Sequence, residues 1–85
     1  MSKVIYKYGK ETYSFETELQ YDSNVESPEF QLEEHLRMEI KEHKRHLDQQ
    51  PENGYIRDVV FEDDSGLKAQ ITDFINIGNI IITKR

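Results

Sequence analysis

The sequence predicts an α+β domain over residues 1–85, in the order β-β-α-β-β-β, with one long helix packed on one face of a mostly antiparallel, twisted sheet. Three observations carry this reading. Tyr13, Phe15, Thr17, Leu19 and Tyr21 alternate strictly with Ser14, Glu16, Glu18, Gln20 and Asp22, which is the period of a half-buried strand. Ser27-Pro28 and Pro51 bracket an apolar stripe at helical spacing. Short turns containing glycine join further apolar runs in registers that set opposite charges face to face.

The first strand is marked by Val4, Tyr6 and Tyr8, and Gly9-Lys10 offers a two-residue hairpin turn with glycine first. That turn sets Tyr6 opposite Tyr13, Val4 opposite Phe15 and Lys3 opposite Glu16. After the loop 23–26, Ser27 is placed to cap a helix with Pro28 at its first position and Glu29 in its first turn. The helix should run from near Pro28 to near Gln49, roughly 33 Å. Leu32, Leu36, Ile40, His43 and Leu47 form its inward stripe, while Glu34, Arg37, Lys41, Arg45 and Asp48 form a water-facing side.

Glu52-Asn53-Gly54 reads as a loop leading into two further strand pairs. A three-residue connection at Asp64-Ser65-Gly66 sets Val59 opposite Ile71, Phe61 opposite Ala69, Glu62 opposite Lys68 and Arg57 opposite Asp73. A second glycine-first turn at Gly78-Asn79 sets Ile75 opposite Ile82, Ile77 opposite Ile80 and Asp73 opposite Lys84. Phe15, Leu36, Ile40, Val59 and Ile71 are the expected core. Parity and turns leave two strand orders open, with the first hairpin joining the meander through either of its strands.

Composition narrows the function. A chain of 85 residues supports one modest core, and with no cysteine it has no disulfide framework, thiolate nucleophile or sulfur ligand. A reducing, cytoplasmic setting is expected. The longest apolar run, Ile80 to Ile82, is far too short to span a bilayer, and residues 1–10 have no signal-peptide core. A net charge of −6 argues against direct nucleic-acid binding, which draws its affinity from Lys and Arg on phosphates.

The charge is also segregated: from Glu11 to Leu36 there are eight carboxylates and no Lys or Arg. Ordinary surfaces intersperse the signs. Glu16, Glu18, Asp22, Glu26, Glu29, Glu33 and Glu34 are therefore the expected contact residues for a basic protein partner, with Glu16, Glu18 and Asp22 pointing to one side of the strand at about 6.7 Å per two residues, like charges on a phosphate backbone. A solvated strand face and the helix dipole account for the same carboxylates more simply. Small acidic inhibitors encoded by phages and other mobile elements share this size and charge, which makes an inhibitor of a nucleic-acid-binding protein the leading expectation.

Two alternatives come from other residues. Ile5, Ile56, Val60, Phe74 and Ile81 have the opposite parity from the core, so Ile56, Val60, Phe74 and Ile81 would line an apolar outer face suited to a homodimer unless the sheet curls shut. His35, Glu39, His43 and His46 lie within about 80° on the helix, a spacing that suits a metal, although boundary histidines bonded to a neighbour explain it equally. No nucleophile elbow, phosphate-cradling glycine loop or carboxylate pair marks catalysis, and no cofactor motif is present. The expectation is a non-enzymatic binding protein.

Overall fold

The computed structural model describes residues 1–47 and 55–83. Its elements follow the expected order: β1 (Ser2–Tyr8), β2 (Glu11–Thr17), α1 (Pro28–Leu47), β3 (Ile56–Glu62), β4 (Lys68–Ile71) and β5 (Ile80–Thr83). All strand pairings are antiparallel, in one sheet of order β2-β1-β3-β4-β5. The first hairpin thus joins the meander through β1. Pro51, the expected loop 52–54, Asp48, Gln49 and Lys84 lie outside the described residues, as does the side chain of Leu47.

The first hairpin has the predicted register, with Tyr6 opposite Tyr13, Val4 opposite Phe15 and Lys3 opposite Glu16. Gly9 makes the turn at φ 63°, a conformation that costs glycine nothing. In the second hairpin Asp64, Ser65 and Gly66 form the connection. The carboxylate of buried Asp63 accepts from the Ser65 N–H, the Ser65 hydroxyl and the Leu67 N–H, and Gly66 closes the turn at φ 88°. Val59, Phe61 and Glu62 face Ile71, Ala69 and Lys68 as expected.

The helix starts at Pro28 as predicted, and the cap is made by backbone. Ser27, at φ 50°, accepts the first helical N–H, from Gln31, on its carbonyl, while the Gln31 side chain reaches back to the Glu26 carbonyl. Leu32, Leu36 and Ile40 are buried against Val4, Tyr6, Tyr8, Ile56, Val59, Phe61, Ala69 and Ile71. Phe15 is half-buried at the rim, where its ring stacks on His43 at 4.5 Å. The Tyr6 hydroxyl meets His43 Nδ1 at 2.7 Å, so the one polar residue of the helix stripe is tied to the sheet.

Three expectations give way to local chemistry. β2 stops at Thr17 rather than running to Asp22, because the Thr17 hydroxyl accepts the Leu19 N–H and donates to Glu39, turning the chain, while the Ser2 hydroxyl holds the Leu19 carbonyl. β3 carries a bulge opposite Tyr6, where the register on β1 shifts between Ile5 and Lys7 and Asp58 sits at φ 53°. The extra residue reverses the parity before it, so Ile56 is buried and Arg57 lies opposite Lys7 instead of near Asp73. β4 ends at Ile71, and β5 pairs with it through Ile71–Ile80 and Ala69–Ile82 instead of through Ile75–Ile82 and Ile77–Ile80.

These changes break up the apolar outer face, leaving Ile5 beside Val60. Ile56 has moved to the core, and Phe74 lies in the loop before β5, packed against the core cluster beneath the Arg37 guanidinium. Val60 and Ile81 remain outside, but Gln70 stands between them in the ladder. A closed barrel does not form either, since β2 and β5 are the two edges.

Replacing Leu36 or Ile40 with Ala should cost about 2–5 kcal/mol, because each side chain is fully buried under the sheet. Urea unfolding measures this, and a loss below about 0.5 kcal/mol at both positions would contradict the packing. His43 supplies a second expectation. Burial, helped by the charge of His46, holds its pKa below the ordinary value. Between the unfolded value of about 6.5 and that lowered value the unfolded chain binds a proton that the folded chain refuses. Stability should therefore fall as pH drops from 7.5 to 5.5, and His43→Gln should remove that part of the slope in urea midpoints.

Candidate functional site

Six of the eight carboxylates of the acidic run gather toward one end of the molecule, while Glu11 lies at the other end of β2, opposite Tyr8, and Glu33 is buried. Antiparallel pairing brings the end of β2, the start of β1 and the end of β3 together there, and the loop 18–27 carries the chain from β2 to the start of α1. Glu16, Glu18, Asp22, Glu26, Glu29 and Glu34 are all exposed. Glu16, Glu18 and Glu39 share a groove of about 500 Å³ with Leu19, His35 and Met38. Glu26 and Glu34 share a second, of about 410 Å³, with Phe30 and His35. His35 stands where the two meet.

Several of these side chains are fixed. Glu39 accepts from Thr17, Glu29 accepts from the Tyr21 hydroxyl at 3.3 Å, and Asp22 accepts the Asn24 N–H at 2.9 Å. Gln20 bonds Asp64 through both its amide nitrogen and its oxygen, adding a carboxylate from outside the acidic run. The Met1 ammonium lies 2.9 Å from Asp64 and its pKa is raised, first by that hydrogen bond and charge and more weakly by Glu16. Among the described residues no salt bridge forms on Glu16, Glu18, Glu26 or Glu34. The negative field of this end is left open to solvent.

Two of the expected features are corrected. Because β2 ends at Thr17, Glu18 and Asp22 do not continue a straight ladder with Glu16, and the carboxylates form a patch rather than a row of regular spacing. Glu33 is not a contact residue at all: it is 2% exposed. Its carboxylate accepts from Arg37 Nε at 2.9 Å and Nη2 at 2.8 Å, and from the Gly78 N–H at 3.0 Å.

Arg37, expected on the water-facing side, is buried as well. Beyond Glu33, its guanidinium donates to the carbonyls of Asp73, Phe74 and Asn76 and lies 4.9 Å over the Phe74 ring. The loop before β5 is further tied by Asp73, which accepts from the Ile75 and Asn76 N–H groups and from the Asn76 side chain. These bonds, the Asn76 amide foremost, hold the Asp73 pKa below its ordinary value. Sequence reasoning missed the whole arrangement. The signal for it was an i,i+4 Glu-Arg pair, which on its own describes any exposed helix face.

The histidines are not brought together. His43 is bonded to Tyr6, His46 to Glu42 at 3.1 Å, and Glu39 to Thr17, while His35 is exposed between the two acidic grooves. Among the described residues no group of three His, Asp or Glu side chains is placed to share a metal ion. Among them, too, no helix is long and apolar enough to cross a membrane. No protein-family model, curated protein or solved structure matches the chain.

Arg37→Met should destabilise the fold by about 3–5 kcal/mol, because it leaves the Glu33 charge buried without its partner and three loop carbonyls without a donor. Arg37→Lys should recover little, since an ammonium cannot reproduce the planar fork. Urea unfolding measures the loss, and amide exchange at Ile75, Asn76 and Gly78 should quicken in both variants. Unchanged exchange in Arg37→Met would show that the loop holds itself.

Proposed function

We propose that this protein is a small non-enzymatic binding protein, an inhibitor or modulator that presents its acidic end to a basic surface on another protein. Nucleic-acid-binding proteins are the class whose working surface carries such charge. The observation that supports this most is the open group Glu16, Glu18, Glu26 and Glu34, drawn from β2, two loop positions and α1 onto one end with no salt bridge on any of them among the described residues. Exposed charges that only solvate a fold are usually mixed in sign. A patch with an excess of carboxylates creates a field that steers an oppositely charged partner and speeds encounter, although Lys3 and the Met1 ammonium stand near Glu16. The homodimer reading has less support, because two of its four outer-face residues, Ile56 and Phe74, pack inward.

The fold tolerates the test. Changing Glu16, Glu18, Glu26 and Glu34 together to Gln keeps side-chain shape and removes four charges from exposed positions. Capture of basic proteins from lysate of the native cell at low salt should weaken by at least about tenfold, and what remains should depend less on salt, since screening acts on the charges removed. Equal capture by wild type and variant at low salt would mean that the acidic end serves solvation alone.

A further inference from the structure

Phe30, Glu34 and Met38 are spaced i, i+4 and i+8 on α1 and form a ridge on the side turned away from the sheet. Phe30 is 51% and Met38 60% exposed, large values for side chains of this kind on a helix that packs its other face well. On one flank the ridge faces Ile77 across a cleft of about 320 Å³, walled also by Glu33, Arg37 and Lys41 and bordered by Glu34. On the other flank Phe30 borders the groove of Glu26 and Glu34, and Met38 borders the groove of Glu16, Glu18 and Glu39. Phe30 and Met38 therefore stand between a cleft that exposes mainly apolar surface and a bank of carboxylates, with Glu34 bordering both.

The far wall of the cleft is preorganised. Ile77 is 69% exposed, yet it lies between Asn76, whose carbonyl is bonded to Arg37, and Gly78, whose N–H is bonded to Glu33. A segment already fixed by such bonds has little conformational freedom left to lose on contact. Met38 on the near wall is unbranched and adapts to an irregular partner surface. One wall is rigid and the other compliant.

We propose that the basic partner docks through an amphipathic helix laid along α1, with its apolar residues against Phe30, Met38 and Ile77 and its Lys or Arg residues over the carboxylate flank. This rests on the acidic-surface reading and adds the apolar half of the contact. Charge complementarity selects the occupant: the carboxylate flank attracts cationic residues, whereas a second copy of this chain would bring a net charge of −6 against it. The length agrees too, since Phe30 to Met38 spans about 12 Å, two helical turns, which matches the i, i+3 or i+4, i+7 anchors of a helix seated in a groove.

The test uses two synthetic peptides of equal length and charge, one of Leu and Lys with a single apolar stripe and one of Gln and Lys with none. Each is titrated into the full chain by calorimetry, with amide chemical shifts recorded. The Leu/Lys peptide should bind about tenfold more tightly or better, as expected for apolar anchors at the centre of a contact, with shifts centred on Phe30, Met38 and Ile77. Met38→Gln combined with Ile77→Ser should remove that advantage and leave the Gln/Lys peptide unaffected. Both side chains are exposed, and an unchanged melting temperature confirms that the fold is kept. If the two peptides bind equally and the double substitution changes nothing, the ridge is not the docking element, while the acidic-surface reading stands. If neither peptide binds at low salt, both readings fall. A wild-type dimer in sedimentation that Met38→Gln dissolves would make a second copy the occupant and overturn the proposal.

Discussion

The buried pair of Glu33 and Arg37 decides how the C-terminal third of the sheet is assembled. Two registers are available to β5, one with a tight turn at Gly78-Asn79 and one displaced by six residues, in which Ile82 faces Ala69 rather than Ile75. Six is even, so both put Ile80 and Ile82 on the inner face, and burial of apolar side chains separates them only weakly. Arg37 separates them strongly. Its donors are satisfied only when the carbonyls of Asp73, Phe74 and Asn76 turn toward the helix, and that is incompatible with residues 73–77 continuing as a strand. Taking two charges out of water costs several kcal/mol per ion, and full satisfaction of the guanidinium and carboxylate is what offsets it. Among the described residues no buried side-chain nitrogen or oxygen lacks a partner.

The pair also ties the helix to the loop before β5. Near the middle of the element Leu36 and Ile40 bury against Tyr6 and Phe61. Further along, His43 takes over, bonded to Tyr6 and stacked on Phe15. Polar fixings of this kind add little net stability, but they fix the helix in register and rotation where a purely apolar face would allow it to slide. With Leu32, Leu36 and Ile40 buried in the core, Phe30 and Met38 are kept at the surface.

What could be read from the sequence, and what could not, follows from the range of the forces involved. The parity of the first hairpin, the Gly9 turn, the Asp64-Ser65-Gly66 connection and the helix start at Pro28 are set by neighbours a few residues apart, and they stand as read. The bulge at Asp58 left a trace, since Ile56 and Val59 are three apart and break strict alternation, but assuming an unbroken strand sent Ile56 to the wrong face. The loop before β5 left almost none. Glu33 and Arg37 look like any surface pair at i,i+4, and only contact with carbonyls some forty residues away makes them internal. The candidate site was legible as charge and not as shape: six of the seven carboxylates it named are exposed and Glu33 is buried, while nothing in the charge pattern pointed to Phe30 or Met38.

The division of labour among these carboxylates bears on how such a surface can work. Glu33 is part of the fold, where it accepts from Arg37 and from the Gly78 N–H. Glu16, Glu18, Glu26 and Glu34 form no salt bridges among the described residues and support no element, so the fold does not constrain their charge. Net negative charge gathered at one end opposes folding slightly through self-repulsion, which Lys3, opposite Glu16, and the Met1 ammonium offset only in part. The two demands are met on different sides of one helix. Its buried sides hold the sheet and the loop in a single arrangement, and its remaining side, with nothing structural to do, carries the side chains that another molecule can reach.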